Sequence, residues 1–268
     1  MAAWFSWWEY EFMRTALWAL LLLVPLLSLL GTLVVNNGMS FFSDALGHSA
    51  LTGVAIGVVL GVSRYHWVMV VFAVVFALLM NRIRHSGTTS VDAVIGVFSA
   101  VGVALGLVLL SRKGEFAAYQ SLLIGDVLSI TRKELWVLGA ALAVTVVFWL
   151  LFFNGFHAIS VSPAVAHSRG FSVVWLDNLF VVLLAVVVML AIRWVGLLLI
   201  NAMLILPAAA ARNAARSLRS YHALSLVFGL FAGVLGLLLS YYNAVATGPT
   251  VILVLAALFF GTFAMRKK

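Results

Sequence analysis

The sequence predicts an all-α membrane protein, a polytopic bundle of about nine transmembrane helices, or eight if two adjoining runs are one. Three observations predict it. Hydrophobic residues make up 65% of the 268 and charged residues only 9%, against about 25% charged in an average soluble domain. Mean hydropathy is +1.19. The apolar runs repeatedly approach the roughly 20 residues that cross a hydrocarbon core. The 24 charged residues cannot clothe a water-soluble exterior, and no polar stretch is long enough for a separate soluble domain, so residues 1–268 read as a single transmembrane domain.

The spans follow in order. The first, 15–35, comes after Glu9 and Glu11 and lacks both the basic start and the small-residue cleavage site of a signal peptide, so it reads as a retained span. Ahead of it Trp4, Phe5, Trp7, Trp8 and Tyr10 form an aromatic anchor of the kind found at membrane surfaces. Spans at 44–62, 66–81 and 91–110 come next. A mixed segment, 111–134, carries an apolar stretch at 119–128 that reads as a short helix against the outer surface. Beyond the span at 135–153, Ser162 is placed to cap, Pro163 to open and Gly170 to stop a short helix outside the membrane. Spans 173–192 and 195–211 are joined only by Arg193-Trp194, and Pro207 with its run of alanines ends the second. The last two are 222–241 and 250–265.

Basic residues in short loops set the orientation. Placing Arg266, Lys267 and Lys268 in the cytoplasm also places there Arg82, Arg84, Arg169, Arg212, Arg216 and Arg219. That makes nine against seven of the 16 Lys and Arg. With nine spans the N-terminus lies outside. The formal charge of +8 is scattered over loops rather than gathered in a stripe, which argues against a nucleic-acid partner. Absence of cysteine excludes disulfides and thiolate ligation, leaving His, Asp, Glu, Asn and backbone as candidate ligands.

Asp44 and His48 stand out. Spaced i and i+4, they share a helix face, and ionisable groups within a membrane span mark functional sites by default. A carboxylate above an imidazole is half a site for a divalent metal; the structural alternative is a simple hydrogen bond near a helix start. Thr52 continues their stripe. Ser49, Gly53, Gly57 and Gly61 form a second stripe, offset by about 100°, whose small residues suit close helix packing. One face packs and the other can line a path. Asp92 and Asp177 are expected as helix caps, Asn201 as an interhelical hydrogen-bonding group, and His66, His85, His157, His167 and His222 as interfacial or solvated side chains.

Six stretches together carry a family resemblance. They are Ser40-Phe41-Phe42-Ser43-Asp44-Ala45-Leu46-Gly47-His48-Ser49, Val91-Asp92-Ala93-Val94-Ile95-Gly96, Leu123-Ile124-Gly125-Asp126-Val127-Leu128, the segment from Ser160 to Gly170, the segment from Leu204 to Arg212, and Thr247-Gly248-Pro249. In this order the chain resembles the permease subunits of ATP-binding-cassette importers for zinc, manganese and iron, from about Met39 to Phe260. The resemblance implies a bacterial cell-membrane permease of two subunits, identical or paralogous, that receives metal from an extracytoplasmic binding protein and docks on cytoplasmic ATP-binding subunits. It implies that Asp44 and His48 handle metal as a transported substrate, with no permanently bound cofactor. It also makes Ser162, Pro163, Ala166, Arg169 and Gly170 part of a coupling helix that sits on the ATPase, although relatives more often carry an acidic residue where Ser162 stands.

No glycine-rich phosphate loop followed by Lys and Ser or Thr occurs in the chain, so ATP hydrolysis is expected on another polypeptide. An alternative cargo is a chelated metal or a cobalamin-like cofactor, which would not need Asp44 and His48. An alternative class is an intramembrane metalloenzyme, but the His-Glu-x-x-His arrangement it needs is missing.

Overall fold

The computed structural model describes residues 7–62, 65–87, 90–112 and 125–265. Every regular element among them is helical: α1 (Glu11–Asn36), α2 (Ser40–Val59), α3 (Tyr65–His85), α4 (Val91–Ser111), a 3-10 turn (Val127–Ser129), α5 (Arg132–Val161), α6 (Pro163–Ser168), α7 (Val173–Ala214), α8 (Leu218–Asn243) and α9 (Thr247–Met265). Eight of these are long and apolar enough to cross a membrane. Helices are the expected solution, because only they satisfy each backbone group within their own segment in lipid.

The count of eight conceals a ninth segment. A straight helix of 42 residues such as α7 would extend about 63 Å, twice a bilayer core of about 30 Å. Its backbone leaves the helical region at Gly196, with φ 74° and ψ 164°, a conformation open essentially to glycine alone. The break falls beside Arg193-Trp194, where the sequence predicts the boundary between two spans. Pro207, in contrast, is carried inside the helix. Three helix starts are marked by side-chain capping. The Ser90 side chain accepts from the Ala93 N–H at 3.3 Å, the Glu134 carboxylate reaches back to the Thr131 N–H at 2.9 Å, and Ser217 and Ser220 form a reciprocal capping box.

The chain forms two compact units, interleaved along the sequence. The first gathers residues 1–38, 126–151 and 194–268. Its helices approach closely at glycines: a Cβ on Gly31 would overlap the Leu204 carbonyl, and one on Gly236 would lie 2.7 Å from the Val251 Cα. The second unit gathers residues 39–125 and 152–193 and clasps α2 between two neighbours. A Cβ on Gly53 would lie 2.7 Å from the Met69 Cα of α3, and one on Gly106 of α4 would lie 2.9 Å from the Thr52 nitrogen. Phe76 of α3 and Phe98 of α4 meet edge to face, 5.0 Å between centroids. Small residues therefore set the separation of backbones here, as is usual where lipid supplies no hydrophobic drive between helices.

Residues 113–124 of the outer segment, and with them most of the helix expected near 119–128, lie outside the described residues, as do Trp4 and Phe5. The described end of that segment is a turn in which the Asp126 carboxylate accepts from the Leu128 N–H at 2.9 Å.

Candidate functional site

Helix α2 begins at Ser40, four residues before the expected start, which puts Asp44 and His48 inside the helix rather than at its cap. From residue 42 to residue 55 every position is buried except these two. Their side chains are 41% and 34% accessible, with His48 Nε2 3.5 Å from Asp44 Oδ2. That separation is long for a direct hydrogen bond. It fits a shared cation: two donors each about 2.1 Å from a tetrahedral metal stand roughly 3.4 Å apart. No cluster of three or more His, Asp or Glu suited to a metal occurs among the described residues, and Asp44 and His48 stand together as a pair. Charged groups in a bilayer face a partner or a water-filled path rather than acyl chains.

The remainder of the two stripes behaves differently from expectation at two positions. Thr52 does not extend the accessible face. It is 1% exposed and its hydroxyl donates to the Gly102 carbonyl of α4. Gly61 lies past the end of α2 at φ +67°, with open space where a Cβ would be, so it terminates the helix instead of packing it. Ser49 faces Gly102, whereas Gly53 and Gly57 face Met69 and Tyr65 of α3.

The short helix α6 is delimited by the residues the sequence singled out. Ser162 occupies the N-cap in extended conformation, φ −166° and ψ 132°, but its side chain makes no capping bond; Pro163 opens the helix. The far end is a Schellman turn: the Gly170 N–H donates to the His167 carbonyl at 2.9 Å and the Phe171 N–H to the Ala166 carbonyl at 3.0 Å. Gly170 takes φ +80°. Ala166 is fully buried, while Arg169 and Gly170 are exposed.

A polar cluster that sequence reasoning missed joins α3 to α7 within the same unit. Asp177, expected as a cap, is the fifth residue of α7 and is 5% exposed. It accepts from Arg84, and His85 Nε2 stands 2.6 Å from the same carboxylate oxygen. Next to it the Asn81 amide donates to Asn178 at 2.8 Å. His85 is thus paired rather than merely interfacial. His157 and His222, also expected at the interface, are each 8% exposed; His157 Nδ1 lies 2.7 Å from the Phe153 carbonyl, and His222 packs edge to face on Trp149. The i, i+4 step from Phe153 to His157 was readable. The contacts of Asp177 and His222 were not, since their partners are remote in sequence.

Residues 9–266 match the ABC 3 transport family. The chain belongs to that family. As an ABC 3 protein it is similar over nearly its whole length to the manganese import system permease protein ScaB of Streptococcus gordonii, 30% identical over 97% of this chain and 93% of that protein. It is equally similar to the high-affinity zinc uptake system membrane protein ZnuB of Haemophilus influenzae, 30% identical over 93% of this chain and 96% of that one. Among solved structures, PsaBC from Streptococcus pneumoniae in complex with Fab superposes with TM-score 0.82 and 30% identity, covering 95% of this chain and 92% of that one. An inward-facing metal-chelate type transporter at TM-score 0.74 and 13% identity shares the fold. The ABC 3 chain is accordingly a multi-pass membrane permease subunit, a transport component rather than a catalyst. Membership implies a dimeric permease that works with an ATPase and a substrate-binding protein.

Proposed function

We propose that the chain is the permease subunit of an importer that moves a divalent transition metal, manganese, zinc or ferrous iron, across the bacterial cell membrane, with Asp44 and His48 as its half of the transport site. One observation carries the reading: along fourteen consecutive residues of α2, 42–55, the only accessible side chains are a carboxylate and an imidazole separated by a metal's bite. Oxygen with imidazole nitrogen suits these three metals and disfavours copper(I). ScaB and ZnuB, whose names give manganese and zinc, agree with that donor set.

A transport site must hold a cation firmly enough to replace part of its hydration and loosely enough to release it. Two ligands per subunit meet both demands, and a second permease subunit bringing its own pair to a common axis would make a transient four-residue site. The backbone of α2 is fixed by its close packing on α3 and α4 at Gly53 and Gly106, which supports a constant spacing of the two residues along the helix. On the cytoplasmic side, α6 would seat on an ATP-binding subunit through Ser162, Pro163, Arg169 and Gly170, with Ala166 anchoring it to the permease body.

The test is uptake of radioactive manganese and zinc by cells that lack their own importers and express the whole system. Asp44→Ala and His48→Ala should each lower uptake at least tenfold, given that even outer-shell losses cost metal sites 10–100-fold, at unchanged membrane level of the protein. Full uptake by both variants would refute the assignment.

A further inference from the structure

The N-terminal ends of α1 and α5, both in the first compact unit, enclose a lateral groove of about 670 Å³. Its head is polar. Glu11 and Arg132 pair across it at 2.8 Å with both side chains well exposed, whereas Arg14, a half-buried residue, has no ion pair or side-chain hydrogen bond among the described residues. Two cations against one anion leave the head with a single positive charge. Below it the groove turns apolar. It runs down α1 past Trp18 to Leu22, about 16 Å from Glu11, and down α5 past Trp136 to Gly139, about 10 Å from Arg132. Trp18 and Trp136 are 55% and 82% exposed. At Gly139 a Cβ would meet nothing within 4 Å, so the floor is open.

We infer that this groove binds one anionic phospholipid, its phosphate against Arg14 and Arg132 and an acyl chain along Leu22, Leu135 and Gly139. The order of the lining is that of the molecule: charge at the interface, indole rings at the depth that tryptophan favours in bilayers, aliphatic wall and bare glycine below. A soluble protein docking from the aqueous side could cover the polar head but not the part that continues 10 Å and more along the helices. An anionic phospholipid, whose phosphodiester charge no headgroup cation cancels, supplies the one negative charge the head lacks.

Native mass spectrometry of the complete importer, released from nanodiscs holding equal phosphatidylglycerol and phosphatidylcholine, reads the retained lipid directly. Phosphatidylglycerol should stay bound in preference. Arg14→Gln should reduce its retention roughly fivefold, Arg14→Lys should keep most of it, and Gly139→Leu, which adds bulk at the floor, where a Cβ meets nothing within 4 Å, without altering any charge, should remove it. Equal retention of the two lipids, or wild-type retention by both Arg14→Gln and Gly139→Leu, would overturn the proposal. So would a partner subunit that covers Trp136 in the assembled complex and leaves the groove without lipid.

Discussion

Removing Asp177 should be among the most damaging single changes in this protein. Its carboxylate is 6% accessible and the Arg84 guanidinium against it 11%, so Asp177→Ala strands a cation already withdrawn from water. Breaking a buried pair in this one-sided way costs about 3–5 kcal/mol. Breaking an exposed pair costs about 0–1 kcal/mol, and Glu11 with Arg132, 66% and 76% accessible, offers that comparison in the same molecule. Converted at the slope usual for domains of this size, Asp177→Ala should lower the apparent Tm by roughly 6 to 20 °C, Glu11→Ala by a few degrees at most. The double variant Arg84→Met with Asp177→Leu should recover most of the loss, because replacing both charges by apolar groups removes the desolvation burden along with the attraction. Heating the detergent-purified protein and following its monodisperse peak by size exclusion measures all three. Equal shifts for Asp177→Ala and Glu11→Ala would refute the claim that burial makes the Asp177 cluster matter.

Three further outcomes are expected from the same assay. Gly106→Ala, which forces a methyl to within 2.9 Å of the Thr52 nitrogen, should destabilise by about 1–3 kcal/mol, whereas Gly96→Ala on the same helix, with nothing within 4 Å, should be neutral or gain up to about 1 kcal/mol. Gly196→Ala should cost about 1–3 kcal/mol, because alanine does not adopt φ 74° with ψ 164° without strain. Ser217→Ala removes the capping box of α8 and should cost about 0.5–2 kcal/mol.

Which parts of this architecture could be read from the chain, and which could not, follows from what hydrophobic patterning encodes. Apolar length fixes the existence of spans, and so the helices fall where the runs are; Pro163 and Gly170 delimit α6 without any knowledge of its surroundings. Arg193-Trp194 marks the break in α7 because it interrupts an apolar run, although the residue that adopts the non-helical backbone is Gly196 nearby. Periodicity says which face of α2 carries Asp44 and His48. It does not say which helix covers the next residue of that face, and Thr52 is bound to Gly102, fifty positions along. The same limit hid Asp177 with His85, 92 positions apart. In a chain this apolar, all faces of a helix are compatible with protein or lipid, so pattern alone leaves the buried polar contacts unassigned.

The sparse donor set on α2 has a bearing on the life of the subunit before assembly. One carboxylate and one imidazole offer a cation at most three donor atoms, too few to compete with water and cellular chelators. On the proposed reading of these two groups as the transport site, a solitary copy newly inserted in the membrane would hold the ion too loosely to sequester it. On the same reading, firm coordination would come only with pairing, each half awaiting the donors of the other.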